Sequence, residues 1–325
     1  MRALVVEELG PPEAHRVVEL PGPVPGPGEV VVDVRAAALN FPDLLMIQGR
    51  YQVQPDLPFV PGSEGSGVVA ATGPGVDAVE IGDEVSFLSV SGAFAQQVSL
   101  PAVRVFPKAP ELSFAEAAGF TLTYATSYYA LRQRAELRPG ETLLVLGAAG
   151  GVGAAAVELG SVMGARVIAA AGTDEKLEFA KSLGATDGLN YGAGDLKEAV
   201  RALTGGAGPD VVYDPVGGSF AEPALRSMAW GGRYLVIGFA TGDIPAIPLN
   251  LPLLKGLSLV GVYWGSWVEH DPAGNAANYR DLLRMVSRGD IKPRVTGSFA
   301  LDEFADACRV ISSRRAMGKI VLDLG

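Results

Sequence analysis

The residues of this chain with the clearest chemical use are glycines. An apolar run, Leu143 to Leu146, leads at once into Gly147-Ala148-Ala149-Gly150-Gly151-Val152-Gly153, and the helix formers Ala154 to Ala156 follow. Gly151, Gly153 and Ala156 fit the pattern G-x-G-x-x-G/A. Turns without Cβ atoms let a pyrophosphate approach backbone N–H groups, and the N-terminus of the helix behind them adds partial positive charge. Strand, glycine turn and helix in that order supply the context the motif requires. Gly150, Gly151, Val152 and Gly153 are therefore expected to contact a dinucleotide.

Which dinucleotide depends on the end of the next strand. A site for NAD places an acid about twenty residues beyond the first glycine, where it grips the ribose 2′-OH. Counting from Gly151 reaches Ala171-Gly172-Thr173, which carries no carboxylate. Lys176 follows, and Asp174 and Glu175 stand where they would serve a helix N-terminus. The gap leaves room for a 2′-phosphate, so the expected cofactor is NADPH rather than NADH.

These residues need a particular scaffold. With 325 residues the chain has room for two domains, each burying its own core. Residues 1 to about 110 are β-branched runs cut by Pro and Gly: Glu29 to Ala36 alternates, and Ser66 to Ala71, Val85 to Leu88 and Ala95 to Leu100 read as further strands. The stretch Pro21 to Gly28 can only be loop. From Ser113, with Glu116 three residues on, a capping-box pattern opens a run of helix formers through Glu136 that Pro139-Gly140 ends. Beyond it apolar bursts alternate with helical stretches: strands at Thr142–Leu146, Arg166–Ala171, Asp210–Tyr213, Arg233–Gly238 and Leu257–Val262, and helices at Gly151–Met163 and Glu175–Leu183. That alternation predicts an α/β domain with a doubly wound parallel sheet. The tail, with helices near Ala276–Ser287 and Asp302–Ser313 and a strand at Lys319–Leu322, is expected to return to the first domain. The predicted division is residues 1–120 with 265–325, and residues 121–264.

Composition narrows the partners. The 26 basic and 36 acidic side chains leave a net charge of −10 with no basic run, which disfavours nucleic acid. No segment is long and apolar enough to span a bilayer, and nothing at the N-terminus resembles an export signal, so the cytoplasm is the expected compartment. The lone cysteine, Cys308, fits an apolar helical face, and His15 and His270 read as surface residues. One cysteine and two distant histidines cannot build a multi-cysteine metal site.

Several stretches together carry a resemblance: Arg35 to Asp43, Gln48-Gly49-Arg50-Tyr51, Pro61 to Val69, Ala148 to Gly153, and Gly318 to Leu322. The chain resembles the medium-chain dehydrogenase/reductase superfamily over its whole length, and in particular the zinc-free quinone oxidoreductase branch, the zeta-crystallin-like proteins. The resemblance implies a GroES-like, β-rich catalytic domain beside a Rossmann domain. Zinc alcohol dehydrogenases of the superfamily carry a ligand histidine where this chain has Ser63, and a ligand cysteine upstream that this chain lacks; without that Lewis acid, simple alcohol oxidation is disfavoured. By the same resemblance Gly172, Lys176, Tyr191 and Arg314, with Arg315 as a competitor, form the 2′-phosphate pocket. Thr126 and Tyr129 line the cofactor cleft, Asn40 stands on the nicotinamide side, and Asp43 orders its loop. Gly238, Phe239, Tyr263 and Trp264 fall at strand ends where an open sheet receives ligand, while Trp264 and Trp267 are each divided between pocket and packing roles.

Tyr51 separates the reactions. It matches a tyrosine that quinone oxidoreductases share with enoyl thioester reductases, where it donates the proton after hydride addition; a phenol is a suitable acid for an enolate. It also fits a pocket wall. Leu45 stands where some quinone enzymes carry a second tyrosine. The expected function is NADPH-dependent reduction of a small quinone or conjugated enone, with enoyl thioester reduction and a non-catalytic, NADPH-binding structural role as alternatives. Leu257 to Val262 would sit at a sheet edge that needs cover, and relatives pair this edge across a two-fold axis. A homodimer is expected, a tetramer being the next possibility.

Overall fold

Pro and Gly punctuation does cut the N-terminal third into short elements: β1 (Arg2–Val5), β2 (Arg16–Glu19), β3 (Glu29–Leu39), α1 (Phe41–Ile47), β4 (Glu64–Thr72), β5 (Glu84–Leu88), β6 (Gln97–Pro101), β7 (Val105–Pro107) and α2 (Phe114–Ala118). They continue as α3 (Thr121–Tyr129), β8 (Thr142–Leu146), α4 (Gly151–Val162), β9 (Arg166–Ala171), α5 (Asp174–Ser182), β10 (Asp187–Asn190), α6 (Leu196–Leu203), β11 (Val211–Asp214), α7 (Ala221–Ser227) and β12 (Arg233–Val236). The remainder is α8 (Asn250–Lys255), β13 (Ser258–Gly261), α9 (Trp264–His270), α10 (Pro272–Ser287), β14 (Val295–Ala300), α11 (Phe304–Ser312) and β15 (Lys319–Asp323). The computed structural model describes residues 1–325 as two units, Met1–Leu122 with Lys292–Gly325, and Thr123–Ile291.

In the first unit the strand order is β14-β15-β3-β4-β5-β7, with β6 paired to β3. The C-terminal strand β15 lies antiparallel to β3, Ile320 opposite Leu39, so the tail does rejoin the N-terminal sheet. Leu4, Val32, Phe87, Phe94, Phe304, Cys308 and Leu322 fill one continuous core. Burial pushes the Cys308 thiol well above its usual range, as expected of a packed side chain rather than a nucleophile. His15 departs from its surface reading: its ring is half-buried, with Nε2 lacking a hydrogen-bond partner, and burial holds its pKa down.

The helix expected from Ser113 to Glu136 is interrupted. Its capping box forms: Ser113 N–H donates to Glu116 Oε2 at 2.9 Å and Glu116 N–H donates to Ser113 Oγ at 3.2 Å. Yet α2 stops at Gly119, where a Cβ would stand 2.9 Å from Lys319 Cγ. The glycine that admits the lysine also ends the helix.

The second unit is a parallel sheet of order β10-β9-β8-β11-β12-β13. Its first strand, β8, is central. The chain builds outward through β9 and β10, then reverses to β11, which makes the carboxyl ends of β8 and β11 the switch point where such sheets take ligand. Residues 265–291 pack with this unit, not with the first as expected. The reason is visible in α10: Asn278 and Gln133 exchange amide hydrogen bonds of 2.7 and 3.2 Å, and Tyr128 on α3 donates to Asp281.

Candidate functional site

The glycine turn is built as its sequence requires. Gly147 adopts φ 58°, a left-handed conformation that favours glycine. Gly153 lies so close to the strand that a Cβ would stand 2.2 Å from the Gly147 carbonyl oxygen. Gly150 caps α4 with an extended backbone and no side-chain partner, leaving the first N–H groups of this helix for an anion. The opposite wall of the switch point is fixed from below: Asp214 accepts from the Val216 and Gly217 N–H groups at 2.7 and 2.9 Å, and Tyr234 donates to its other oxygen. Ser127 on α3 donates to the Val152 carbonyl at 3.1 Å, tying this helix to the turn.

At the end of β9 the structure gathers three of the residues expected to take the 2′-phosphate, Gly172, Lys176 and Tyr191. Gly172 is exposed, and the only atom near the place of a Cβ is Tyr191 Cε2, at 3.6 Å. Thr173 caps α5, its hydroxyl accepting from the Lys176 N–H at 3.3 Å. Thr173, not the acids, thus makes the cap; Asp174 and Glu175 stand in the first turn of α5, and Asp174 also accepts from the Asn190 amide at 2.9 Å. Arg314 belongs to the first unit, exposed and left-handed at φ 57°.

Beyond β12 and β13 lies a cleft of about 660 Å³, lined by Tyr129, Arg134, Gly238, Phe239, Tyr263 and Trp267, among others. Tyr129 and Trp267 stack with centroids 4.4 Å apart, and Arg134 Nε donates to the Gly261 carbonyl at 3.0 Å. Tyr263 is 70% exposed here. Trp264 departs from the expected pocket role and takes the packing one. It is 4% exposed and its indole N–H donates to Asn275 at 3.0 Å, so it anchors α9 to α10 and stays out of the cleft. Trp267 takes the lining position instead. Thr126 is half-buried on α3 and does not line this cleft.

The first unit holds a buried polar cluster where β3, β4 and β15 end and α1 begins. Glu64 is 0% and Lys319 5% exposed, and their charged atoms are 2.8 Å apart. Lys319 Nζ also donates to Asn40 Oδ1 at 2.7 Å and the Leu39 carbonyl at 3.3 Å; Asn40 Nδ2 donates to Glu64 Oε1 at 2.9 Å, and the Leu122 N–H to Glu64 Oε2 at 3.1 Å. Asn40 N–H donates to Asp43 Oδ2 at 2.8 Å, which fixes the start of α1. Burial pushes the Asp43 carboxyl up to about 7, against the pull of the Asn40 N–H, Ser63 and Lys319, while Glu64 adds to the rise. Ser63 lies near enough to act on that carboxyl, yet neither its Oγ nor Asp43 Oδ1 has a hydrogen bond of good geometry. Tyr51 is half-buried against the core of the same unit.

Zinc does not fit this donor set. Serine, asparagine and two carboxyls replace the thiolates and imidazoles zinc favours, an ammonium already neutralises Glu64, and no group of three or more His, Cys, Asp or Glu side chains could hold a metal ion. A dinucleotide does fit the second unit, on the evidence of its open Gly172 position and its glycine turn.

Reading residues singly missed Glu64 and Lys319 as partners, because 255 positions separate them. The available signal was a charged residue opening the buried strand Lys319-Ile320-Val321-Leu322.

Comparison with known proteins agrees with this architecture. Residues 26–111 match the alcohol dehydrogenase GroES-like domain family and residues 151–288 the zinc-binding dehydrogenase family. Quinone oxidoreductase-like protein 2 of Rattus norvegicus is 40% identical over 99% of this chain and 92% of its own length. A quinone oxidoreductase of Pseudomonas syringae superposes with a TM-score of 0.92 at 32% identity, covering 99% of both chains. The Escherichia coli quinone oxidoreductase, solved with NADPH, superposes with a TM-score of 0.93 at 28% identity, covering 99% of this chain and 100% of its own. The chain belongs to the medium-chain dehydrogenase/reductase superfamily, in its quinone oxidoreductase branch. It is an oxidoreductase by that membership.

Proposed function

We propose that this chain reduces quinones or conjugated enones with NADPH and without zinc. The observation that carries the reading is the donor set: Ser63 stands where zinc-dependent members of the superfamily carry a ligand histidine, and the neighbouring Glu64 is already paired with the Lys319 ammonium at 2.8 Å. Without a Lewis acid an alkoxide is less well stabilised, which favours acceptors whose conjugation already activates them.

NADPH, when bound, supplies the hydride. Gly150 to Gly153 and the first turn of α4 hold its pyrophosphate. Gly172, Thr173, Lys176 and Tyr191, with Arg314 as the further member of the set, hold its 2′-phosphate. Gly238, Phe239 and Tyr263 line the cleft at the carboxyl ends of the late strands, where the stacked Tyr129 and Trp267 offer a flat wall to a planar acceptor. Reduction of a quinone by two electrons consumes one hydride and one proton, and solvent can supply the proton.

Enoyl thioester reduction is the second reading, and Tyr51 favours it: the phenol sits on the loop after α1, as a proton donor to an enolate would. NADPH oxidation with naphthoquinone, cyclohexenone and crotonyl-CoA separates the readings. Quinone or enone turnover is expected, and tight NADPH binding with no turnover of any acceptor would instead support a structural role. Tyr51→Phe is expected to slow quinone reduction only a few-fold and thioester reduction by about a hundred-fold or more, the usual worth of a general acid. Equal effects would remove Tyr51 as proton donor.

We also propose a homodimer through β13. It is a sheet edge, its Leu259 is exposed, and Leu253, Leu254 and Trp230 form an exposed apolar face around the preceding helix. A second copy of the same edge, running antiparallel, would satisfy both the open backbone groups and this face.

A further inference from the structure

The cluster around Glu64 holds more hydrogen bonds than charge neutralisation needs. All three Lys319 donors are spent, on Glu64, Asn40 and the Leu39 carbonyl. The arrangement allows the Asn40 carboxamide one orientation only. Its oxygen faces the ammonium and its nitrogen faces the Glu64 carboxylate; a flipped amide would set donor against donor and acceptor against acceptor. Asn40 is also the residue that starts α1. Gly119 has the shape this requires, since a Cβ there would press on the Lys319 Cβ, Cγ and Cε atoms at 3.1, 2.9 and 3.3 Å.

We propose that Lys319 is a positioning residue of the reductase site, holding the Asn40 carboxamide in a single orientation through the buried pair with Glu64. This rests on the reading of Asn40 as facing the reacting groups. Lys319 does not touch the acceptor; it fixes what Asn40 presents.

Removing one charge alone would strand the other in the core and unfold the unit, so the test combines Glu64→Gln with Lys319→Met. The pair is neutral and of similar size, and the introduced carboxamide, being both donor and acceptor, tolerates either orientation of the Asn40 amide. Expected are a melting temperature and a KM for NADPH near those of the wild type, with kcat roughly 10- to 100-fold lower, as for a misplaced group in a reacting geometry. Adding Asn40→Ala should cause no further loss, because Lys319 acts through Asn40. A folded double variant with kcat within about two-fold of wild type, or one whose loss Asn40→Ala multiplies, would overturn the proposal. If the double variant does not fold, Gly119→Ala decides: its methyl displaces the lysine stem and should lower kcat with the same lack of additivity, whereas unchanged kcat would overturn the proposal. One readout needs no acceptor. Hydrogen exchange at the Asn40 side-chain amide, followed by NMR, should be slow in the wild type and fast in the variants, and equal rates would refute the positioning role. A wild type that turns over no acceptor, yet shows slow exchange, would sink the reductase reading and with it the part of Lys319 in that site, leaving only the fixed orientation of the Asn40 amide.

Discussion

Burial pushes the Asp43 carboxyl up to about 7, and this gives a sign to part of the pH dependence of stability. An acid whose folded value lies above its unfolded value, about 3.9, holds its proton more tightly when folded. The stability it contributes is complete below the unfolded value and is lost as the pH rises from about 4 to about 7. Asp43→Asn removes that loss while keeping an oxygen for the Asn40 N–H. Relative to wild type, the variant should gain on the order of 1–4 kcal/mol between about pH 5 and about pH 8, read by urea unfolding at both. The same difference at the two pH values would show that Asp43 is ionised in the folded chain throughout. Asn40, Asp43 and Tyr51 could be singled out in the sequence because each lies in a short, recognisable stretch. The pairing of Lys319 with Glu64 could not, since the two lie on different strands and only the pairing of β15 with β3, and of β3 with β4, brings them together.

Among the elements, the β8–α4 turn is the most constrained. A Cβ on Gly153 would stand 2.2 Å from a backbone oxygen that cannot swing aside. Gly153→Ala should therefore destabilise the second unit by at least about 2 kcal/mol and abolish NADPH binding, checked by denaturant melts and by nucleotide fluorescence; an unaltered melt would contradict the close packing. The bounds of β8 and β9 were legible from their apolar runs, since both are central strands buried on two faces. The edge strands β10 and β14 were not. In β10 only Leu189 is buried, and β14 alternates half-buried and exposed positions around Gly297, so neither has an apolar run to read. The α9–α10 pair falls in the second unit, not the first, because it is held there by the Tyr129–Trp267 stack and by single polar side chains such as Gln133 with Asn278, which leave no pattern in the sequence.

For the whole molecule, the exposed edge β13 and its apolar surroundings make the homodimer testable. Wild type should sediment as a dimer, and Leu253→Glu with Leu254→Glu, both on the exposed face, should give a folded monomer. A wild-type monomer would contradict the edge pairing. The overall architecture was legible because alternating strands and helices leave few parallel topologies to choose between, whereas the acceptor was not, because the cleft is assembled from distant loops such as Gly238-Phe239 and Tyr263. The central claim, a zinc-free reductase that prefers NADPH, meets its most direct test in one steady-state comparison: kcat/KM for NADPH and for NADH with naphthoquinone, before and after exhaustive chelation. A charge-assisted contact to the 2′-phosphate is worth about 1.5–3 kcal/mol, so NADPH should lead by about ten- to hundred-fold, with no change on chelation. Equal values for the two cofactors, or activity lost to the chelator and restored by zinc, would contradict the account.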